Sequence, residues 1–143
     1  MNNSVDEIII YTDGGSRGNP GPAASGFVIM DADEQILEDG GEYLGITTNN
    51  QAEYQAVKLA LIAVKKYHPK VIRFKMDSEL VVKQMNGIYK IKNRDLWPIH
   101  AFIKETAQEF SRVTFEHVRR EFNKLADAKV NQILDANQMS ERS

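Results

Sequence analysis

Ile8-Ile9-Ile10-Tyr11-Thr12-Asp13-Gly14-Gly15-Ser16-Arg17-Gly18-Asn19-Pro20-Gly21-Pro22 stands near the start of a 143-residue chain. A β-branched apolar run that stops at an aspartate and passes into glycines reads as a strand, about residues 7–13, carrying a carboxylate to bare backbone. Glycines let main-chain N–H groups approach a polyanion closely, whereas an acid in that place repels one unless a divalent cation lies between them. The stretch thus raises metal-assisted chemistry on a phosphodiester. It does not match an ATP or dinucleotide loop: the Lys-Ser/Thr ending and the fingerprint spacing are missing, and Ala24-Ser25-Gly26-Phe27-Val28-Ile29 reads as a strand where those loops open a helix.

Outward from this stretch, residues 24–30 and 36–44 form two further predicted strands around the polar turn Asp31-Ala32-Asp33-Glu34, giving an antiparallel meander. At Thr48 the period changes. Ala52, Ala56, Leu59, Ala60, Ala63, Val64 and Tyr67 recur at helical steps, Thr48 and Gln51 form a capping-box pattern, and Pro69 closes the segment. Val71 to Met76 reads as a strand ending in Asp77, and Ser78 caps a short helix to about Met85. A helix over about 95–110, a strand over 113–118 and a helix over about 123–137 follow, with 138–143 as a tail. The order β-β-β-α-β-α-α-β-α predicts an α/β domain spanning 1–143, with a core over about 7–136 and a mixed sheet flanked by helices.

Composition narrows the function classes. With 42% hydrophobic residues the chain can bury a core as one domain. The absence of cysteine excludes disulfides and thiolate metal sites, so any metal binds oxygen or histidine, and a reducing cytoplasm suits the chain. No apolar stretch approaches the roughly 20 residues of a membrane span, and the first residues lack the features of a signal peptide. A net charge of −2 argues against nucleic-acid binding through overall charge. Residues 80–94, however, hold Lys83, Lys90, Lys92 and Arg94 with no acid among them, a local basic stripe.

Four acids then form one constellation. Asp13 and Asp77 end strands that meet at a common sheet edge if they are neighbours, while Glu53 and Asp127 fall in the first turns of helices. Each alone fits a structural role, as a turn residue, a cap or a partner of a helix dipole. Together they would repel one another unless a hard cation such as magnesium or manganese neutralised them, and a pair of such ions suits in-line hydrolysis at phosphorus.

Tyr11-Thr12-Asp13-Gly14-Gly15-Ser16-Arg17-Gly18-Asn19-Pro20-Gly21-Pro22, Thr47-Thr48-Asn49-Asn50-Gln51-Ala52-Glu53, Met76-Asp77-Ser78 and Asn123-Lys124-Leu125-Ala126-Asp127 together resemble type 1 ribonuclease H, over roughly residues 7–136. The resemblance implies a ribonuclease H-like fold: a five-stranded mixed sheet in which strands 4 and 5 run parallel to strand 1. It implies a monomeric endonuclease that cuts the RNA strand of RNA/DNA hybrids with two Mg2+ ions, Mn2+ substituting, leaving 5′-phosphate and 3′-hydroxyl ends. Asp13, Glu53, Asp77 and Asp127 carry over as metal-binding acids, with Glu53 also reaching a 2′-hydroxyl. By the same matching the backbone of Gly14, Gly15 and Ser16 and the Asn49 side chain touch the RNA strand, Thr48 and Asn50 hold a phosphate of the DNA strand, and Asn19, Glu79, Lys90, Lys92 and Arg94 complete the substrate surface.

Two departures from the best-known bacterial pattern stand out. The histidine-bearing loop before the last aspartate is replaced by Glu116-His117-Val118-Arg119-Arg120-Glu121-Phe122, where Arg120 is favoured for that place, Arg119 second, and His117 reads as a strand residue. His68 and His100 offer no ligand pairing. The long lysine-rich protrusion is reduced to Tyr89-Lys90-Ile91-Lys92-Asn93-Arg94-Asp95-Leu96-Trp97, with Trp97 expected to pack beneath it. Other readings are a catalytically silent nucleic-acid-binding protein on this fold, or a related nuclease with broader duplex substrates, double-stranded RNA included.

Overall fold

Alternating side chains on the first strand settle where the layers go. β1 (Glu7–Ser16) buries Ile8 and Ile10 in the main core and Ile9 in a smaller cluster with Val28 and Met30. In the computed structural model, which describes residues 5–142 and side chains as far as Gln138, β1 pairs antiparallel with β2 (Gly21–Asp31), and β2 pairs antiparallel with β3 (Ile36–Thr47). On its other side β1 runs parallel to β4 (Val71–Met76), and β4 runs parallel to β5 (Arg112–His117). The resulting order, β3-β2-β1-β4-β5, is the predicted five-stranded mixed sheet.

The glycine-rich run differs from expectation. Gly14, Gly15 and Ser16 continue the ladder opposite Ser25, Ala24 and Ala23, so β1 and β2 are each about three residues longer than predicted. Small residues on both strands let the two backbones pair here without side-chain conflict. Only residues 17–20 remain as the turn, closed by the Arg17 N–H donating to the Pro22 carbonyl at 2.8 Å.

Four helices cover the sheet. α1 (Asn49–Val64) starts where predicted, its Gln51 N–H donating to Thr48 Oγ at 3.2 Å. The reciprocal half of the capping box is absent: the Gln51 side chain instead donates to the Asp95 carbonyl at 3.2 Å, tying α1 to the segment before α3. A single 3-10 turn, Lys65–Tyr67, ends the helix before His68, which takes a left-handed φ of 51°. α2 (Glu79–Met85) is capped by Ser78, and α3 (Trp97–Ala107) starts later than the predicted 95–110 because a 3-10 turn, Arg94–Leu96, precedes it, and also ends earlier. α4 (Lys124–Arg142) outruns the predicted end at Asn137, since no glycine or proline interrupts the sequence there. Of the predicted tail, 138–142 continue this helix and Ser143 lies outside the described residues.

The main core fills the space between the sheet and the helices, joining Ile8, Ile10, Phe27, Ile29, Ile72, Phe74 and Met76 to Tyr54, Val57, Leu61, Val81, Met85, Leu96 and Ile103. Tyr54 is fully buried, and its hydroxyl donates to Gln84 Oε1 at 2.6 Å, so its polar end is satisfied. α4 packs separately, Val130 and Leu134 against Ala24 of β2. Among the described residues no helix is long and apolar enough to cross a membrane.

Candidate metal centre and nucleic-acid cleft

Thr12 pairs with Met76 at the end of the β1–β4 ladder, so Asp13 and Asp77, the next residues, emerge side by side at the carboxyl edge of two parallel strands. Glu53 is brought in by the docking of α1. A Cβ on Gly14 would lie 2.2 Å from the Ala52 carbonyl carbon and 2.4 Å from the Glu53 nitrogen, so only glycine lets the helix backbone come this close. The Ser25 hydroxyl fixes the same spot from β2, donating to the Ala52 carbonyl at 2.7 Å. Asp127 arrives by a second close approach. Gly26, opposite Asp13, presents no side chain, and a Cβ there would meet the Ala126 carbonyl oxygen and Lys129 Cβ at 3.1 Å each.

Asp13, Glu53 and Asp77 each offer a carboxylate oxygen, and these oxygens all lie within 4.8 Å of one another. Asp127 stands outside that trio but lines the same cleft and acts on it through its charge at Asp13. Burial, then the charges of Asp77 and Asp127, push the Asp13 carboxyl from its ordinary 3.8 up to about 8, against a lowering contribution from the Gly14 N–H. Burial, then Asp13 and Asp77, likewise hold Glu53 well above the usual carboxylate range. Glu53 Oε2 is buried with no hydrogen-bond partner. An all-oxygen donor set, crowded, buried and short of donors, fits a hard divalent cation, which supplies the missing positive charge.

The acids line a polar cleft of about 370 Å³ together with Gly14, Gly15, Ser16, Asn49, Asn50, Ser78 and Arg120. The glycine turn is fastened to α1 beside it: Ser16 N–H and Oγ both donate to Asn49 Oδ1, at 2.8 and 3.0 Å, and the Asn49 N–H donates to Asn19 Oδ1 at 3.1 Å. A second cleft, about 600 Å³, is lined by Leu80, Gln84, Ile88, Tyr89, Lys90 and Lys92, and Asn50 borders both clefts.

The comparisons with known proteins agree with this geometry. Residues 11–133 match the family model described as reverse transcriptase-like. The chain is 42% identical to a ribonuclease HI of Halobacterium salinarum over 125 residues, covering 87% of this chain and 63% of that one. It is 39% identical to a bifunctional protein of Mycobacterium tuberculosis over 131 residues, which are 91% of this chain and 36% of that protein; the chain thus spans about a third of its length. Among solved structures, LC11 ribonuclease H1 in complex with an RNA/DNA hybrid superposes with a TM-score of 0.87 at 43% identity, covering 92% of this chain and 99% of that one. The chain belongs to the ribonuclease H family.

Of the contacts that ribonuclease H resemblance implied, Gly14, Gly15, Ser16, Asn49, Asn50 and Arg120 share the cleft with the four acids. Arg120 lines the cleft, whereas Arg119 pairs with Glu121 at 3.7 Å and His117 is exposed at the end of β5. Asn19 acts through its bond to Asn49, and the Thr48 hydroxyl accepts a bond as the cap of α1. Lys90 and Lys92 line the second cleft, while Glu79 pairs with Lys83 at 2.7 Å and Arg94 lies over the Trp97 ring. Trp97 is bonded to the lysine segment through Nε1–H to the Ile91 carbonyl at 2.8 Å, yet stays 51% exposed, so it braces the segment from the side instead of lying beneath it.

Three residues at the site had no role in the sequence reading. Asn123 Nδ2 bonds both Thr12 O and Asp77 Oδ2. Arg17 binds Asp135 and Gln138 of α4, each at 2.6 Å, and lines the cleft with Asn131, whose amide donates to the Asp127 carbonyl at 3.1 Å. Their signal was faint because an amide or a turn arginine takes its meaning from partners far along the chain.

Proposed function

We propose that this ribonuclease H family member hydrolyses the RNA strand of RNA/DNA hybrids, with two Mg2+ ions, or Mn2+ in their place, held by Asp13, Glu53, Asp77 and Asp127. The observation that carries this is the trio of acids within 4.8 Å, one of them with a buried unpartnered oxygen, at the floor of a polar cleft. Bound cations would neutralise the acids and make a water acidic enough to attack phosphorus, the products being 5′-phosphate and 3′-hydroxyl ends.

The chain's own residues orient the substrate. The Gly14–Ser16 backbone and Asn49, pre-set by the Ser16–Asn49 bonds, hold the RNA strand, and Glu53 faces its 2′-hydroxyl, the group DNA lacks. Thr48 and Asn50, at the start of α1 where backbone N–H groups point outward, receive a DNA-strand phosphate. Lys90 and Lys92 follow that strand along the second cleft, with Arg94, over the Trp97 ring, and Glu79, paired with Lys83, completing the substrate surface. Arg120 brings a permanent positive charge to the acids and cannot act as a base at neutral pH. The reading includes a single catalytic domain acting as a monomer in the cytoplasm.

The test is cleavage of matched RNA/DNA, RNA/RNA and DNA/DNA duplexes with Mg2+ or Mn2+, beside Asp13→Asn. Cleavage of the hybrid's RNA strand is expected, abolished in the variant with its fold intact; an equally active Asp13→Asn would remove the acids from the chemistry.

A further inference from the structure

Asn123 is 1% exposed and sits where three chain segments carrying acids come together. Its Nδ2 group donates to the Thr12 carbonyl at 2.9 Å, one residue before Asp13, and to Asp77 Oδ2 at 3.1 Å. Its own carbonyl accepts the Asp127 N–H at 3.1 Å, the bond that starts α4. The Asn123 N–H in turn donates to the Arg120 carbonyl at 2.9 Å, closing the 3-10 turn that carries the cleft arginine.

The orientation of this amide follows from its surroundings. Reversed, it would set an oxygen against the Thr12 carbonyl and the Asp77 carboxylate, two acceptors, and both bonds would become repulsions. Only the NH2 group can serve both, because it has two hydrogens to give. Neither Asp nor Leu, though each has the same number of side-chain heavy atoms, could do this.

We propose that Asn123 is a positioning residue that holds the Asp77 carboxylate in register with Asp13 and Asp127 for cation binding. Buried at 1% exposure, it acts on the acids and not on the substrate, by tying Asp77 Oδ2 to the Thr12 carbonyl, where the β1–β4 ladder ends. Without that anchor the Asp77 side chain regains its rotamers and must be reordered each time a cation binds. Partners of this kind, one bond removed from a metal, typically change metal affinity or activity by about 10–100-fold when removed. The proposal rests on the acids binding cations, as the proposed function holds.

The experiment compares wild type, Asn123→Ala and the near-isosteric Asn123→Asp by calorimetric titration with MnCl2 alone, by thermal melting, and by kcat and KM on an RNA/DNA hybrid with Mg2+. We expect the Mn2+ Kd to rise about 10-fold and kcat to fall at least that far, with KM for the hybrid changed less than about 3-fold. Asn123→Asp, which adds a negative charge beside Asp77, should be the more severe in kcat. If Asn123→Ala does not fold, the same readings on Asn123→Asp decide. A folded variant with a lower melting temperature but wild-type Mn2+ affinity and kcat would reduce Asn123 to a structural residue and overturn the proposal. A wild type that takes up no Mn2+ would bring down the cation site itself, and this inference with it.

Discussion

At the scale of single residues, the crowding of the acids to which we assign the chemistry has a measurable cost. An unfolded Asp13 loses its proton near its ordinary 3.8, whereas the folded one holds it to about 8. Between those values the folded state binds more protons than the unfolded one, so stability falls as pH rises through that window and levels off above it. The melting temperature of the cation-free protein should therefore drop from about pH 5 to about pH 8, and Asp13→Asn should flatten that slope while abolishing cleavage. Mn2+ should recover the lost stability at the alkaline end by binding the ionised acids. A melting profile with the same slope in Asp13→Asn would show that the carboxyl titrates normally in the fold.

Whole elements reach the site through close contacts, and here glycine matters most. Gly14→Ala places a methyl 2.2 Å from the Ala52 carbonyl carbon, in helix backbone that cannot step aside. We expect a loss of about 3 kcal/mol or more in denaturant unfolding, together with lost cleavage as α1 and Glu53 move outward; a variant of wild-type stability would mean that α1 does not sit this close. Element types and their order were legible because hydrophobic period, caps and strand-ending aspartates all pointed the same way. The glycine run was less so. Read as a loop, it is ladder as far as Ser16, because pairing with Ala23–Ser25 outweighs glycine's weak strand preference, and that pairing lies between two stretches whose register no local pattern reveals. Half of the capping box failed for a similar reason: Gln51 found a partner 44 residues away. The acids were readable as candidates, but the roles of Asn123 and Arg17 depend on contacts made only when sheet and α4 close together.

The whole molecule has a net charge of −2 and still presents a basic border at the second cleft. Lys83 is partly consumed by Glu79, leaving Lys90 and Lys92 as the charges that line it. Replacing both lysines by alanine should raise KM for the hybrid, leave kcat near wild type, and make the log–log salt dependence of binding shallower by about 2, as expected for two lost phosphate contacts. An unchanged salt slope would place the duplex elsewhere. Fold, cleft and basic border all gain their meaning from the acid cluster, so the most direct measurement is anomalous scattering from crystals soaked in MnCl2. The account predicts strong manganese peaks among the carboxylates of Asp13, Glu53, Asp77 and Asp127, lost in Asp13→Asn; fully soaked crystals with no manganese between those side chains would contradict it.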